Sequence, residues 1–271
     1  MKIKYLGTAA GEGCPAPFCR CEVCMKSLER GGRNIRSRSQ ALVDDRLLID
    51  FPPDTFMHYV TNPFPMAEVK HCLITHSHFD HLLAGELYNR APYYAHKLDE
   101  DGPLTIYGSQ PTGDAIRAGV NGKYLDFKLI SPYEPFSAGE YTVTALRANH
   151  DPKVEPYIYI ISKDGKSMLY AHDTGIHMPE TWEYFEKTKP YFNFVSLDCT
   201  MGDGNNTTFH MGLSCCAEFM KRLKDLGCAD DNTIACTNHF SHNGHMIYDD
   251  TVEPAQKLGL LVSYDGLEIE F

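Results

Sequence analysis

The chain has 271 residues, 43% hydrophobic and 23% charged, a composition that sets aside disorder, fibrous repeats and a disulfide-dependent miniprotein. Asp and Glu outnumber Lys and Arg 36 to 25, and the net charge of −11 argues against a broad footprint for nucleic acid or anionic membrane while leaving room for a small anionic substrate. The unusual feature is 13 His and 10 Cys beside a single Trp. No apolar run is long enough to span a bilayer, and Met1 to Gly13 lacks the core of a signal peptide. The expectation is a cytoplasmic protein whose cysteines are thiols or metal ligands.

Along the chain, Lys2 to Leu6 reads as a first strand, and Gly7, Gly11, Gly13, Pro15 and Pro17 make the next stretch a loop. Ala41 to Val43 and Leu47 to Phe51 flank Asp44-Asp45-Arg46 as a hairpin, Pro52 and Pro53 end it, and a helix follows from Asp54 to Tyr59. Strands are then expected over Val69 to Ile74, Leu104 to Tyr107, Phe127 to Ile130, Tyr141 to Leu146, Tyr157 to Ile161, Ser167 to Ala171, Asn193 to Leu197, Thr233 to Cys236 and Leu260 to Ser263. Asp164-Gly165 marks a tight turn between two of them. Helices are expected over Thr112 to Ala118, Glu180 to Lys187 and Leu213 to Leu226, the last with Cys216, Phe219, Met220, Leu223 and Leu226 on one stripe. With no repeat, low-complexity tract or composition shift, the reading is one α/β domain over residues 1–271, built from two sheets with outer helices.

Directly after the strand ending at Ile74, the run His76-Ser77-His78-Phe79-Asp80-His81 places three imidazoles and a carboxylate within six residues. Neutral imidazole and carboxylate are ligands for Zn, Mn or Fe, and a loop at a strand end can fold them around ions as a straight strand cannot. Four other strand ends repeat the theme, running into Asn149-His150-Asp151, His172-Asp173-Thr174-Gly175, Asp198 and Asn238-His239. Ligands in α/β sheets gather outside the carboxyl ends of strands, so these residues are expected to be neighbours in space.

The pattern His76-x-His78-x-Asp80-His81, then His150, Asp173 and His239, resembles the binuclear signature of the metallo-β-lactamase-fold hydrolases. That resemblance implies a four-layer αβ/βα sandwich with the site at one edge. It also implies one divalent metal (Zn or Mn) held by His76, His78 and His150 and a second by Asp80, His81 and His239, with Asp173 and a hydroxide bridging them. Asp80 is thereby both a ligand and a candidate catalytic residue.

Cys19-Arg20-Cys21-Glu22-Val23-Cys24 is a C-x-C-x-x-C cluster within the Gly/Pro-rich loop, three thiols that need a fourth ligand to close a structural zinc site. Cys14 is the nearest thiol, and His242 follows His239 by three residues; both stay open on spacing. A C-x-C-x-x-C loop after Gly7-Thr8-Ala9-Ala10-Gly11, with a late H-x-x-H, is similar to the PhnP family of phosphoribosyl cyclic phosphodiesterases and, second, to PqqB-like proteins of pyrroloquinoline quinone synthesis. PqqB-like proteins generally have a degraded first metal motif, and the intact motif here favours the phosphodiesterase branch. The PhnP resemblance implies a structural Zn on Cys19, Cys21, Cys24 and His242. Cys72, Cys199, Cys215, Cys216, Cys228 and Cys236 have no ligand spacing and read as buried packing.

His210 lies between Gly202-Asp203-Gly204-Asn205-Asn206 and the Leu213 helix, where the same resemblance implies a non-ligand histidine on the phosphate; capping of that helix is the simpler alternative. The expected activity is phosphodiester hydrolysis, with a small, cyclic phosphate as the anionic partner. Thioester or lactone hydrolysis and a PqqB-like non-hydrolytic role are the alternatives. No membrane partner is expected, nucleic acid is disfavoured, and a homodimer is left open. The stretch 89–126, with Tyr93, Tyr94, His96 and Asp99-Glu100-Asp101, departs from the family pattern and reads as a solvated excursion. His172 alternates with Asp173 and so should face away from the site, and His245 reads as loop.

Overall fold

The computed structural model describes residues 1–98, 102–120, 122–205 and 207–271. In chain order its elements are β1 (Lys2–Gly7), α1 (Glu22–Arg30), β2 (Gln40–Val43), β3 (Leu47–Ile49), α2 (Thr55–Thr61), β4 (His71–Leu73), β5 (Leu104–Gly108), α3 (Gln110–Gly119), β6 (Leu125–Leu129), β7 (Pro135–Ala138) and β8 (Tyr141–Arg147). They continue with β9 (Tyr157–Lys163), β10 (Lys166–Ala171), α4 (Pro179–Thr188), β11 (Phe194–Asp198), α5 (Leu213–Asp225), β12 (Ile234–Asn238), α6 (Tyr248–Lys257), β13 (Leu261–Val262) and β14 (Glu268–Glu270). The strands form two seven-stranded sheets, ordered β14-β1-β2-β3-β4-β5-β6 and β13-β12-β11-β10-β9-β8-β7.

Period-two alternation builds the layers. In the first sheet Ala41, Val43, Leu47, Ile49 and Leu73 face the second sheet, while Leu42, Leu48 and Cys72 pack on the opposite side with Leu87 and with Ile116 of α3. In the second sheet Tyr159, Ile161, Met168 and Tyr170 face inward, and Ile158, Ile160, Leu169 and Ala171 pack against Trp182 and Phe185 of α4 and Phe219 and Leu223 of α5. Each Val, Leu, Ile, Met or Phe among them, fully buried, stabilises the fold by roughly 1.5–3 kcal/mol. Helix, sheet, sheet and helix therefore stack as four layers, an αβ/βα sandwich.

Strands β3, β4, β5 and β6 are parallel to one another, as are β10, β11 and β12, while β8 and β10 both run antiparallel to β9 and so share one direction. This brings the carboxyl ends of β4, β8, β10, β11 and β12 to one edge, which is where the site lies.

Several expectations need correction. The cysteine cluster is only partly loop: Cys21 caps α1, its sulfur accepting from the Cys24 backbone N–H, and Cys24 sits in the first helical turn. Stretch 89–126 is a solvated excursion only in part: Tyr93, Tyr94 and His96 are exposed, whereas β5 pairs with both β4 and β6 in the sheet and α3 buries Ile116. Asp99, Glu100 and Asp101 lie outside the described residues. Helix α6 escapes the apolar pattern because Pro254 lies within it and Asp249 and Asp250 open it. Strands β7 and β14 have only partly buried, mixed sequences.

Candidate metal centre

The loop after β4 turns on Thr75, whose backbone N–H and hydroxyl both reach the Asp50 carboxylate, at 2.7 and 2.9 Å. Asp50 itself follows β3 at φ 67, and Asp173 and His239 likewise sit in the left-handed region, at φ 49 and 62. Such backbone costs energy for a residue with a side chain and persists where surrounding contacts over-determine it.

Three nitrogens converge on one point. His78 Nδ1 lies 2.9 Å from His76 Nε2 and 3.3 Å from His150 Nε2. Burial holds the His76 and His150 imidazoles below their ordinary pKa, so both are neutral lone-pair donors. Asp80, His81 and His239 form a second set, with His81 Nε2 3.3 Å from both Asp80 Oδ2 and His239 Nε2. Asp173 lies between the sets: Oδ2 is 2.8 Å from His81 Nε2 and 2.9 Å from His239 Nε2, and Oδ1 is 3.7 Å from His150 Nε2.

These donors fit divalent ions. Nitrogens bound to one tetrahedral ion at ~2.0–2.1 Å lie about 3.3 Å apart, close to the spacing within each set. Buried Asp173 Oδ2 has no hydrogen-bond partner among the described residues although two imidazole nitrogens crowd it, as a carboxylate oxygen aimed at a cation would. Burial opposes charge on His81 and His239, yet Asp173 outweighs it and draws both toward the cationic form, His239 to about 10. A field of that sign favours a cation among them.

Behind the ligands stand residues that sequence reasoning left without a role. His81 Nδ1 donates to Asp50 Oδ2 at 2.7 Å, which leaves Nε2 as the lone pair facing the centre. The Thr200 hydroxyl does the same for His239, accepting from Nδ1 at 2.8 Å. Asp198, at the end of β11 and fully buried, ties several parts together. Its Oδ2 accepts from the Asp173 backbone N–H at 3.0 Å and from His210 Nδ1 at 3.1 Å, and its Oδ1 accepts from the Met211 N–H at 2.9 Å. Its place at a strand end was the signal available in the sequence.

His210 sits beside both sets, its ring centroid 5.1 Å from that of His150 and 5.8 Å from that of His239. It does not cap α5, whose N-cap is Gly212 without a side-chain bond. Burial opposes its protonation, but Asp198 overcomes this and raises its pKa. The N-terminal loop closes over the other side: a Cβ on Gly11 would come within 3.1 Å of Asp80 Oδ2, so a side chain there would crowd the carboxylate. His172 does face away, its Nε2 2.7 Å from Ser196 Oγ, and His245 is an exposed loop residue 3.2 Å from Asp203.

A separate cluster joins Cys19, Cys21, Cys24 and His242, with His242 Nδ1 3.4 Å from both Cys19 Sγ and Cys21 Sγ. Although burial opposes it, hydrogen bonds from the Cys24 backbone and His242 hold the Cys21 thiol down to about 6, a thiolate at neutral pH. Cys14 instead lies 3.4 Å from Ser27 Oγ, outside this group. His242 Nε2 is backed by Glu12 at 3.4 Å. Cys21→Ser is expected to remove about one ion per chain and lower the melting temperature by several degrees. Unchanged zinc content and melting temperature would exclude an ion at this cluster.

The chain matches the family model described as beta-lactamase superfamily domain over residues 45–260. It is 31% identical over 131 residues to coenzyme PQQ synthesis protein B of Methylobacterium radiotolerans, a stretch covering 44% of this chain and 40% of that relative's length. Among solved structures, a diphosphatase from the PhnP family superposes with a TM-score of 0.76 at 19% identity, covering 100% of this chain and 97% of the other. Zn(2+)-bound PqqB from Methylobacterium extorquens superposes with a TM-score of 0.73 at 21% identity, covering 100% of both chains. With a two-sheet sandwich, histidine and carboxylate donors at one sheet edge and a family match over most of its length, the chain belongs to the beta-lactamase superfamily domain family and has the metallo-β-lactamase fold.

Proposed function

We propose that the protein is a metal-dependent phosphodiesterase that hydrolyses a small, cyclic phosphodiester. The observation carrying this reading is the position of His210, a half-buried imidazole held on Asp198 and flanking both donor triads without belonging to either. His76, His78 and His150 would hold one divalent ion and Asp80, His81 and His239 a second, and such ions would supply Lewis-acid charge and lower the pKa of water. Asp173 lies between the sets and sets their separation. Asp198 occupies His210 Nδ1, so Nε2 is the nitrogen available to a substrate oxygen. As the oxygen of a water molecule bonds to phosphorus and gives up a proton to solvent, the phosphorus–oxygen ester bond breaks, and the departing alkoxide takes the His210 proton, leaving a neutral imidazole that solvent reprotonates. Opening a five-membered cyclic phosphate this way gives a monoester and a free hydroxyl.

The identity with PQQ synthesis protein B supports a second reading, a biosynthetic role without hydrolysis. One assay separates these. Purified protein with added Mn or Zn is offered bis-p-nitrophenyl phosphate, a thioester and a lactone. Release of p-nitrophenolate, abolished by chelator and restored by metal, is the expected result. Turnover of the thioester or lactone alone would replace the reading with acyl hydrolysis, and no turnover of any of the three would favour the biosynthetic role.

A further inference from the structure

A short turn of the N-terminal loop runs between the cysteine cluster and the histidine centre and touches both. Gly11 and Glu12 are its central residues, closed by a bond from the Gly13 N–H to the Ala10 carbonyl at 2.9 Å. On one side the Gly11 backbone lies against Asp80, where a Cβ would stand 3.1 Å from Oδ2. On the other, Glu12 Oε1 accepts from Ser241 Oγ and lies 3.4 Å from His242 Nε2. We infer that Glu12 is a positioning residue that couples the two metal sites, so that an ion on Cys19, Cys21, Cys24 and His242 tightens the hold of Asp80, His81 and His239 on theirs. The inference rests on the reading of both clusters as cation sites and is independent of the substrate.

The link begins with the orientation of His242. Its Nδ1 faces the Cys19 and Cys21 sulfurs at 3.4 Å each, so Nε2 carries the ring proton and directs it at Glu12. An ion at the cluster fixes that ring, and the ring fixes the carboxylate. Without the ion, the imidazole is free to turn and takes its donor away from Glu12. Ser241 Oγ, which accepts from the Asn243 N–H at 3.0 Å, then remains as the other donor to the carboxylate.

Glu12 carries Gly11 with it, since the two share one turn. Arg38 holds the Gly11 end, its Nε donating to the Gly11 carbonyl at 2.8 Å and its Nη1 lying 3.1 Å from Asp54 Oδ1. The backbone before the turn is laced to the segment that bears both His239 and His242: the Ala10 N–H donates to the Phe240 carbonyl and the Phe240 N–H to the Thr8 carbonyl, each at 2.9 Å. His239 sits in that segment at φ 62, a conformation that its surroundings must maintain. Two of the three donors of the second set, Asp80 and His239, therefore border the bridge. His76, His78 and His150 lie across Asp173, whose Oδ2 faces the second set and whose Oδ1 faces His150. The coupling is accordingly confined to one of the two ions of the histidine centre, and by linkage it acts in both directions.

The test titrates chelator-stripped, full-length protein with Co(II), whose thiolate charge-transfer absorption reports the cysteine cluster and whose remaining absorption reports the histidine centre. Glu12→Ala is expected to leave the cysteine cluster filled at saturation and to weaken one histidine-centre ion about tenfold, the scale for a residue that supports ligands, with the other ion unmoved. Glu12→Gln, which keeps an acceptor oxygen, is expected to restore most of that affinity. In Cys21→Ser, or in Cys19→Ser should the first not fold, the same ion is expected to be weak already and Glu12→Ala to add nothing further, the signature of coupling in a double-mutant cycle. An undiminished effect of Glu12→Ala in the cysteine variant, a loss shared equally by both ions, or no loss at all would overturn the coupling. Uptake of a single ion by the histidine centre would end the two-ion reading, and that ion then decides the coupling alone: an affinity unchanged in Glu12→Ala refutes it. Failure of either cluster to take up Co(II) refutes it outright.

Discussion

Asp173→Ala is expected to deplete the histidine centre of its ions and to lower phosphodiester turnover about 10³-fold or more, since Lewis-acid stabilisation is worth several kcal/mol. Asp173 Oδ2 faces His81 and His239 at 2.8 and 2.9 Å, and its Oδ1 faces His150 at 3.7 Å, so among the described residues it is the one carboxylate addressing both donor sets. Removing it leaves five imidazoles and Asp80 with a single negative charge to offset two dications. The local backbone should survive, because the bond from the Asp173 N–H to Asp198 does not use the side chain. Alanine tolerates the left-handed conformation less well than aspartate, so Asp173→Asn serves as the control, keeping shape and backbone preference while losing charge. Both variants should lose metal together with turnover. Full occupancy in either, measured by elemental analysis, would refute the assignment.

His210→Ala is expected to lower turnover by about 10²- to 10⁴-fold with both catalytic ions retained, the usual worth of a positioned proton donor. Asp198→Asn should reproduce much of that loss and add to it. The buried carboxylate raises the His210 pKa and orients its ring, so an amide there leaves a weaker acid. It also holds the backbone of Asp173 and lies 3.5 Å from His239 Nδ1, so metal affinity should fall by about 10- to 100-fold, as for other residues that support ligands. The two variants thus differ in a measurable way: saturating metal should rescue part of the Asp198→Asn defect and none of the His210→Ala defect. Unaltered turnover in His210→Ala would remove this histidine from the reaction.

How much of this was legible in the chain depends on where the information sits. His76, His78, Asp80 and His81 are contiguous, and their density announces a centre before any fold is known. His150, Asp173 and His239 become legible through a single structural rule, that parallel strands deliver their carboxyl ends to one edge. Asp50, Asp198 and Thr200 are not legible as partners. Each acts through a histidine 31, 12 and 39 residues away, across strands whose order the sequence does not reveal. The same limit applies to the cysteine cluster. Spacing brings Cys19, Cys21 and Cys24 together but leaves Cys14 and His242 as equal candidates, and only the approach of the loop after β12 to the start of α1 separates them. The misreading of stretch 89–126 has a related cause. Its strand and helix were visible as apolar runs, but their place inside a parallel sheet comes from pairing with β4 and β6.

Metal content bears most directly on the whole account. Protein stripped with chelator, reconstituted with excess Zn or Mn and desalted should carry about three divalent ions per chain, two at the histidine centre and one at the cysteine cluster. A stoichiometry that stays at two or fewer under those conditions would contradict it.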